Sequence, residues 1–266
     1  MFRNQYDTDI TTWSPQGRLY QVEYAMEAVK QGSATVALKS KTHAVVASLK
    51  RAPQADLASY QSKSFPISNH CGMAIAGLIS DARVLARFMR TECMNHEFMY
   101  GTPLSLPALL DKVGDKCQNS TQSSSKRPFG VGALVIGSDE KGVHLYQTCP
   151  SGNVYAAKAA AIGARSQSAR TYLERHYDTF PSQSFEELII HALKALSTTC
   201  SEGVKLTAQN TSIATVGLRG VQDFVTLSEE DTATWLGRVT IRPEDRVTEG
   251  GTEEAPEAEQ FPTVTD

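Results

Sequence analysis

Six histidines, five cysteines and several acidic pairs are the side chains in this 266-residue sequence that could hold a metal or move a proton. His43, His70, His96, His144, His176 and His191 are dispersed, and none stands at metal-ligand spacing from another His or a Cys. Packing or surface positions account for them. Cys71, Cys93, Cys117, Cys149 and Cys200 are odd in number and show no CxxC spacing, which reads as buried inert thiols in a reduced interior compartment. Glu186-Glu187 and Glu229-Glu230-Asp231 fall in the first turns of expected helices, where the helix dipole alone favours them. The sequence has no P-loop, no GxSxG, no HExxH and no strand-linked GxGxxG. It therefore predicts no catalytic residue, no metal and no cofactor.

The distinctive chemistry lies in the first thirty-odd residues, which are rich in aromatics and turn formers. Tyr6-Asp7-Thr8-Asp9 precedes Trp13 and the tight-turn sequence Ser14-Pro15-Gln16-Gly17, in which Pro15 presets φ and Gly17 tolerates a positive φ. Leu19, Val22, Met26 and Val29 then recur at helical spacing through residues 18–31, and Gly32 is placed to end that helix as a C′ residue. A helix standing ahead of a complete sheet domain must bury its apolar face, either in its own core or on a sister subunit.

Behind that segment, residues 33–39 and 43–49 read as a hairpin, followed by strands at 64–67 and 72–76. A helix is expected to open at Gly77-Leu78-Ile79-Ser80-Asp81, with Ser80 as N-cap. Another runs from Ser105 to about Gln118. Strands return at 131–137, 143–147, 154–156 and 159–162. Helices follow at 163–177 and behind the capping box Ser184-Phe185-Glu186-Glu187. A hairpin at 211–217 and 224–227 and a short helix from Ser228 close the series. The order, sheet then helix pair, twice, predicts one α+β domain of four layers, two face-to-face sheets with helices outside.

With 41% hydrophobic residues the chain has ample material for one large core. No run approaches the roughly 18 apolar residues of a membrane span, and the N-terminus lacks a signal-peptide pattern, so it reads as soluble and unexported. The net charge of −3 conceals an acidic stretch with eight acids against Arg246 from Pro243 to Asp266. Residues 1–242 then hold 25 basic and 21 acidic residues, a balance of +4 with no basic stripe to favour nucleic acid or a stand-alone RNA-binding module. The division expected is 1–17 as N-terminal tail and turn, 18–242 as the main domain, and 243–266 as a disordered acidic tail.

Tyr6-Asp7, Trp13-Ser14-Pro15-Gln16-Gly17-Arg18 and Gln21-Val22-Glu23-Tyr24-Ala25 together resemble the N-terminal pattern of proteasome α subunits. The likeness continues at Gly77-Leu78, Asp81-Ala82-Arg83, Arg127-Pro128-Phe129-Gly130-Val131, Pro150-Ser151-Gly152 and Ala161-Ile162-Gly163, and so covers residues 6 to about 236. Within that family Met1 to Asp7, Arg165 to Arg175 and the acidic tail are similar to the α type-1 branch, systematic α6. The resemblance implies a four-layer αββα sandwich of N-terminal-nucleophile hydrolase type with an extra N-terminal helix. It also implies a non-catalytic subunit of the outer α ring of the 20S core in cytoplasm and nucleus, which admits substrate for ubiquitin-dependent and -independent degradation. The partners implied are other α subunits in a seven-membered ring, β-ring subunits and the C-terminal tails of activators or regulatory particles, with no nucleic acid and no membrane.

Residue by residue, the resemblance makes Tyr6, Asp7, Pro15, Gly17 and Tyr24 the gate and N-terminal turn, with Thr8 standing where many members have Arg. It makes Lys63 and Gly77 parts of an inter-subunit pocket for an activator's terminal carboxylate, to which an ammonium is suited. The rival is an active amidohydrolase of the same fold, since Ser33 precedes Lys63 by a spacing similar to the relatives' catalytic pair. Against it, no Gly-Thr junction precedes the first strand, Ser48 or Leu49 falls where the acidic partner would be expected, and cleavage would discard the helix at 18–31.

Overall fold

In the computed structural model, which describes residues 5–51, 61–201, 204–217 and 223–239, a turn at residues 14–17 leads into helix α1 (Tyr20–Gln31). Two hairpins follow, β1 (Thr35–Lys39) with β2 (His43–Leu49) and β3 (Ser64–Ser68) with β4 (Cys71–Gly77). Helices α2 (Ile79–Tyr100) and α3 (Leu106–Thr121) precede β5 (Val131–Asp139), β6 (Gly142–Thr148), β7 (Val154–Ala156) and β8 (Ala159–Ile162). Then come α4 (Ser166–His176), a 3-10 turn at Phe180–Ser182, α5 (Phe185–Ser197), β9 (Thr211–Gly217), β10 (Val225–Thr226) and α6 (Glu229–Arg238). The predicted acidic tail 243–266 lies outside the described residues.

Alternation along the strands builds the layers. One sheet runs β10-β9-β2-β1-β8 and the other β3-β4-β5-β6-β7, every neighbouring pair antiparallel. Val36, Leu38, Val45, Ala47 and Ile213 face α4 and α5, while Cys71, Met73, Ile75, Val131 and Val135 face α2 and α3. The alternate residues meet between the sheets, and many are small: Ala37, Ala44, Ala74, Ala76 and Ala214, with Leu134, Ile136 and Leu145 filling the rest. Both faces of both sheets are thus covered, and the result is the expected four-layer αββα sandwich. At α5 the capping box forms as predicted: Ser184 Oγ accepts the Glu187 amide, and Glu187 accepts the Ser184 amide at 2.9 Å.

Three local expectations are corrected. Helix α2 begins at Ile79 with Leu78 as N-cap and no side-chain cap, because Asp81 rather than Ser80 is the polar group turned inward there. On α1 the buried stripe is Val22, Ala25 and Val29, with Met26 facing outward; Val29 packs into the layer between the sheets, so the helix buries this face in its own domain. Gly32 follows α1 in extended conformation (φ −66°, ψ 149°) instead of the left-handed C′ geometry. Its lack of a side chain answers to packing, since a Cβ there would lie 2.2 Å from the Gly77 amide nitrogen.

Candidate functional site

The N-terminal residues fold back on the start of α1. Pro15 stands at the second position of a turn closed by the Gly17 amide donating to Ser14 O (2.9 Å), and Gly17 has φ +76°. The Ser14 and Arg18 amides donate in turn to Arg18 O and Ser14 Oγ, at 2.9 and 3.0 Å. From α1, Tyr24 donates its phenol to Asp7 Oδ2 at 3.2 Å, and the Gln21 side-chain amide donates to the Asp7 carbonyl. Burial and the adjacent Asp7 carboxylate push the Tyr24 phenol up, so it stays a donor. Tyr6 and Thr8 are exposed at the rim, and Trp13 is 63% exposed. Asp7, Pro15, Gly17 and Tyr24 are thus gathered into one turn-and-helix unit, whose outward surface is aromatic.

The second constellation lies where α1 ends, β1 begins and β4 passes into α2. Here a cavity of about 340 Å³ is lined by Gly32, Ser33, Arg51, Lys63, Gly77 and Leu78, with Ala28, Gln31, Gln61 and Ile79 around its wall. Lys63 is only 3% exposed. Its ammonium donates to the Ser33 carbonyl and to Ser33 Oγ (2.8 Å), which leaves one of its three N–H donors for the cavity. Burial, with the Arg51 charge adding to it, pulls the Lys63 ammonium down from 10.5 to about 7. Gly77 lies at φ +113°, and a Cβ there would fall 2.3 Å from the Gly130 carbonyl oxygen. Gly77 thus packs directly against the backbone at the start of β5.

A model of the proteasome subunit family matches residues 29–216, and a model of the N-terminal signature of A-type proteasome subunits matches residues 6–28. The chain belongs to the proteasome subunit family. It is 53% identical to the alpha type-1 proteasome subunit of Trypanosoma brucei rhodesiense over 245 residues, covering 92% of this chain and 91% of the relative. It is 52% identical to the probable alpha type-6 proteasome subunit of Schizosaccharomyces pombe, over 90% of this chain and 87% of the relative. With the alpha type-1 proteasome subunit of Dictyostelium discoideum it shares 52% identity over 89% of this chain and 94% of the relative. The αββα sandwich is thus this family's fold carrying an α-type N-terminal signature, and no described helix is long and apolar enough to cross a membrane.

Several residues take parts that their local sequence pattern does not give them. Ser33 is the seat of the Lys63 ammonium, and Gly32 matters as the surface against which Gly77 packs. Asp81 is bound by Arg127, 46 residues away, which no local pattern connects to it. The histidines are taken up inside the chain: His70 binds Leu104 O, His96 Thr102 O, His144 Asp139, His176 Tyr172 O and His191 the Tyr172 hydroxyl, while His43 bonds Thr42 Oγ1.

Proposed function

We propose that this chain is a non-catalytic α-type subunit of the outer ring of the 20S proteasome core, assembling with other α subunits in a seven-membered ring and with β-ring subunits, in cytoplasm and nucleus. The carrying observation is the α-type signature at residues 6–28, folded as a turn and helix joined by peptide bonds to the start of β1. Cutting before Ser33 or Thr35 would remove Val22, Ala25 and Val29 from the buried set. The rival amidohydrolase draws its base from the nucleophile's own freed amine. Ser33 does approach Lys63 as such a pair would, but its nitrogen is held in a peptide bond and its carbonyl occupies the ammonium. N-terminal sequencing and intact mass of the subunit from assembled particles are expected to return the signature residues ahead of Ser33. A mature chain starting at Ser33 or Thr35 would overturn the reading.

Within that role, Tyr6, Asp7, Pro15, Gly17 and Tyr24 hold the N-terminal tail over the substrate entrance, and Thr8 contributes no tail-to-tail arginine pair. The Lys63 and Gly77 pocket receives the C-terminal carboxylate of an activator or regulatory-particle tail. Tyr24→Phe removes one exposed hydrogen bond to Asp7, and losing a bond of that kind is worth about 0.5–1 kcal/mol. Basal peptide hydrolysis by otherwise closed particles is expected to rise about two- to fivefold. Unchanged basal hydrolysis in Tyr24→Phe particles would remove this hydrogen bond from the gate.

A further inference from the structure

Asp81 is a buried carboxylate, only 5% exposed, in the first turn of α2, yet it caps no amide of its own helix. Its two oxygens take the guanidinium of Arg127 in a fork, Nη1 to Oδ2 at 2.6 Å and Nη2 to Oδ1 at 2.8 Å, while the Arg127 side chain is 65% exposed. Oδ2 also accepts the Gly130 amide at 2.9 Å. The Gly130 carbonyl then accepts the Leu78 amide at 2.9 Å and lies over Gly77, whose nitrogen faces Gly32, the residue before Ser33. Leu78, Gly77, Gly32 and Ser33 are all cavity walls, and Ser33 carries the Lys63 ammonium.

We infer that the Asp81–Arg127 pair is the positioning device of the Lys63 pocket, holding Gly130 so that Gly77, Gly32 and Ser33 present the ammonium at a fixed place. This rests on the reading that the pocket takes a terminal carboxylate. The segment 122–130 between α3 and β5 has no helical or strand ladder of its own, and Pro128 brings no amide, so the grip on Asp81 fixes its last residues. An Arg this exposed is not demanded by packing. A planar fork is what two-point retention of one carboxylate requires, and a lysine cannot reproduce it. Arg127 in turn holds the Asp81 carboxyl below the usual carboxylate range, so the device is ionised throughout the neutral region.

The test uses assembled particles and a photo-cross-linkable peptide with either a free C-terminal carboxylate or a C-terminal amide. Arg127→Ala and Asp81→Asn are expected to weaken this subunit's capture of the carboxylate peptide about three- to tenfold and to leave the amide peptide nearly unchanged. Hydrogen exchange at the Leu78 amide should quicken in the same particles, without change in β9. Should Arg127→Ala fail to enter particles, Arg127→Lys carries the same comparison with an expected loss of about two- to threefold. A purely structural role would lower both peptides alike, and that result overturns the inference. So does a wild-type carboxylate preference in both clamp variants when Lys63→Ala abolishes it. If Lys63→Ala itself leaves the preference intact, the pocket reading falls and takes this inference with it.

Discussion

Binding of a carboxylate-terminated tail peptide to particles containing this subunit is expected to weaken by about tenfold between pH 7 and about pH 8.5, while the amide-terminated peptide shows no such dependence. The Lys63 ammonium releases its proton at about 7 in the empty pocket. Above that value the tail must take up a proton at Lys63 to gain an ion pair, and affinity drops with each further rise in pH. An ordinary solvated lysine would stay charged across the whole window and give a flat profile. Lys63→Ala removes a charge-assisted contact worth roughly 1.5–3 kcal/mol in a partly desolvated site, so tail affinity at this pocket falls about ten- to hundredfold and its pH dependence disappears. Lys63→Arg restores part of the affinity with a flat profile, because the guanidinium stays charged but its fork does not fit the place of a compact ammonium. Cross-linking a single tail peptide to this subunit prevents masking by the other pockets of the ring. A level profile from pH 6.5 to about pH 8.5 in the wild type would show that the Lys63 ammonium stays charged across that window, and unchanged capture of the carboxylate peptide by Lys63→Ala particles would remove Lys63 from the carboxylate site.

The same proton has a stability consequence with a definite sign. As pH falls, the unfolded chain protonates this lysine near its ordinary 10.5, whereas the folded chain waits until about 7. Lys63 therefore lowers the stability of the fold progressively from about pH 10 down to about pH 7, and its contribution is level below that. A buried cation that works against its own fold at neutral pH fits a residue retained for binding. Its two bonds to Ser33 keep the ammonium from being left without partners.

Strand alternation and helix periodicity carried most of the architecture. The hairpin at β1 and β2, the strands at 154–156 and 159–162 and the capping box at Ser184 were legible because each rests on neighbours within a few residues. The mistakes share a different cause. Ser80 satisfied every local rule for an N-cap, and Gly32 every rule for a C′ residue, but tertiary contacts far away along the chain occupy those places: Asp81 answers to Arg127 and Gly130, and Gly32 to Gly77 and Ala164. Met26 fitted a helical apolar stripe in one dimension, yet the side of α1 that meets β4 and β5 is the one carrying Val22, Ala25 and Val29. The pocket was legible only as a resemblance around Lys63 and Gly77. What makes it a pocket is the meeting of four chain segments around residues 32, 51, 63 and 77, and no spacing rule encodes that.

Gly77 supplies the sharpest test of that convergence. Two penalties coincide there: φ is +113°, outside the region open to L side chains, and a Cβ would come 2.3 Å from Gly130 O and 3.1 Å from Val131 Cα. Both obstacles are backbone, in a rung of the β4–β5 ladder where Gly77 lies opposite Val131, so neither can swing aside as a side-chain tip could. Backbone strain of this kind costs of order 1–3 kcal/mol by itself, and the overlap adds to it, so Gly77→Ala is expected to destabilise the subunit by about 4 kcal/mol or more. Gly101 is the control, because it has a positive φ of +68° at the end of α2 but open space around an added Cβ. Gly101→Ala meets only the left-handed penalty of about 1–2 kcal/mol. Co-expressed with wild-type subunit under one promoter, Gly101→Ala should enter particles nearly as well as its competitor, while Gly77→Ala should be almost excluded. Any Gly77→Ala chain that does assemble must have moved β4 away from Gly130 or Gly32, and should fail to capture the carboxylate peptide even with Lys63 in place. Equal incorporation of the two variants, with tail capture intact in both, would show that the Gly32, Gly77 and Gly130 backbones are not held in the close contact from which the Lys63 pocket is built.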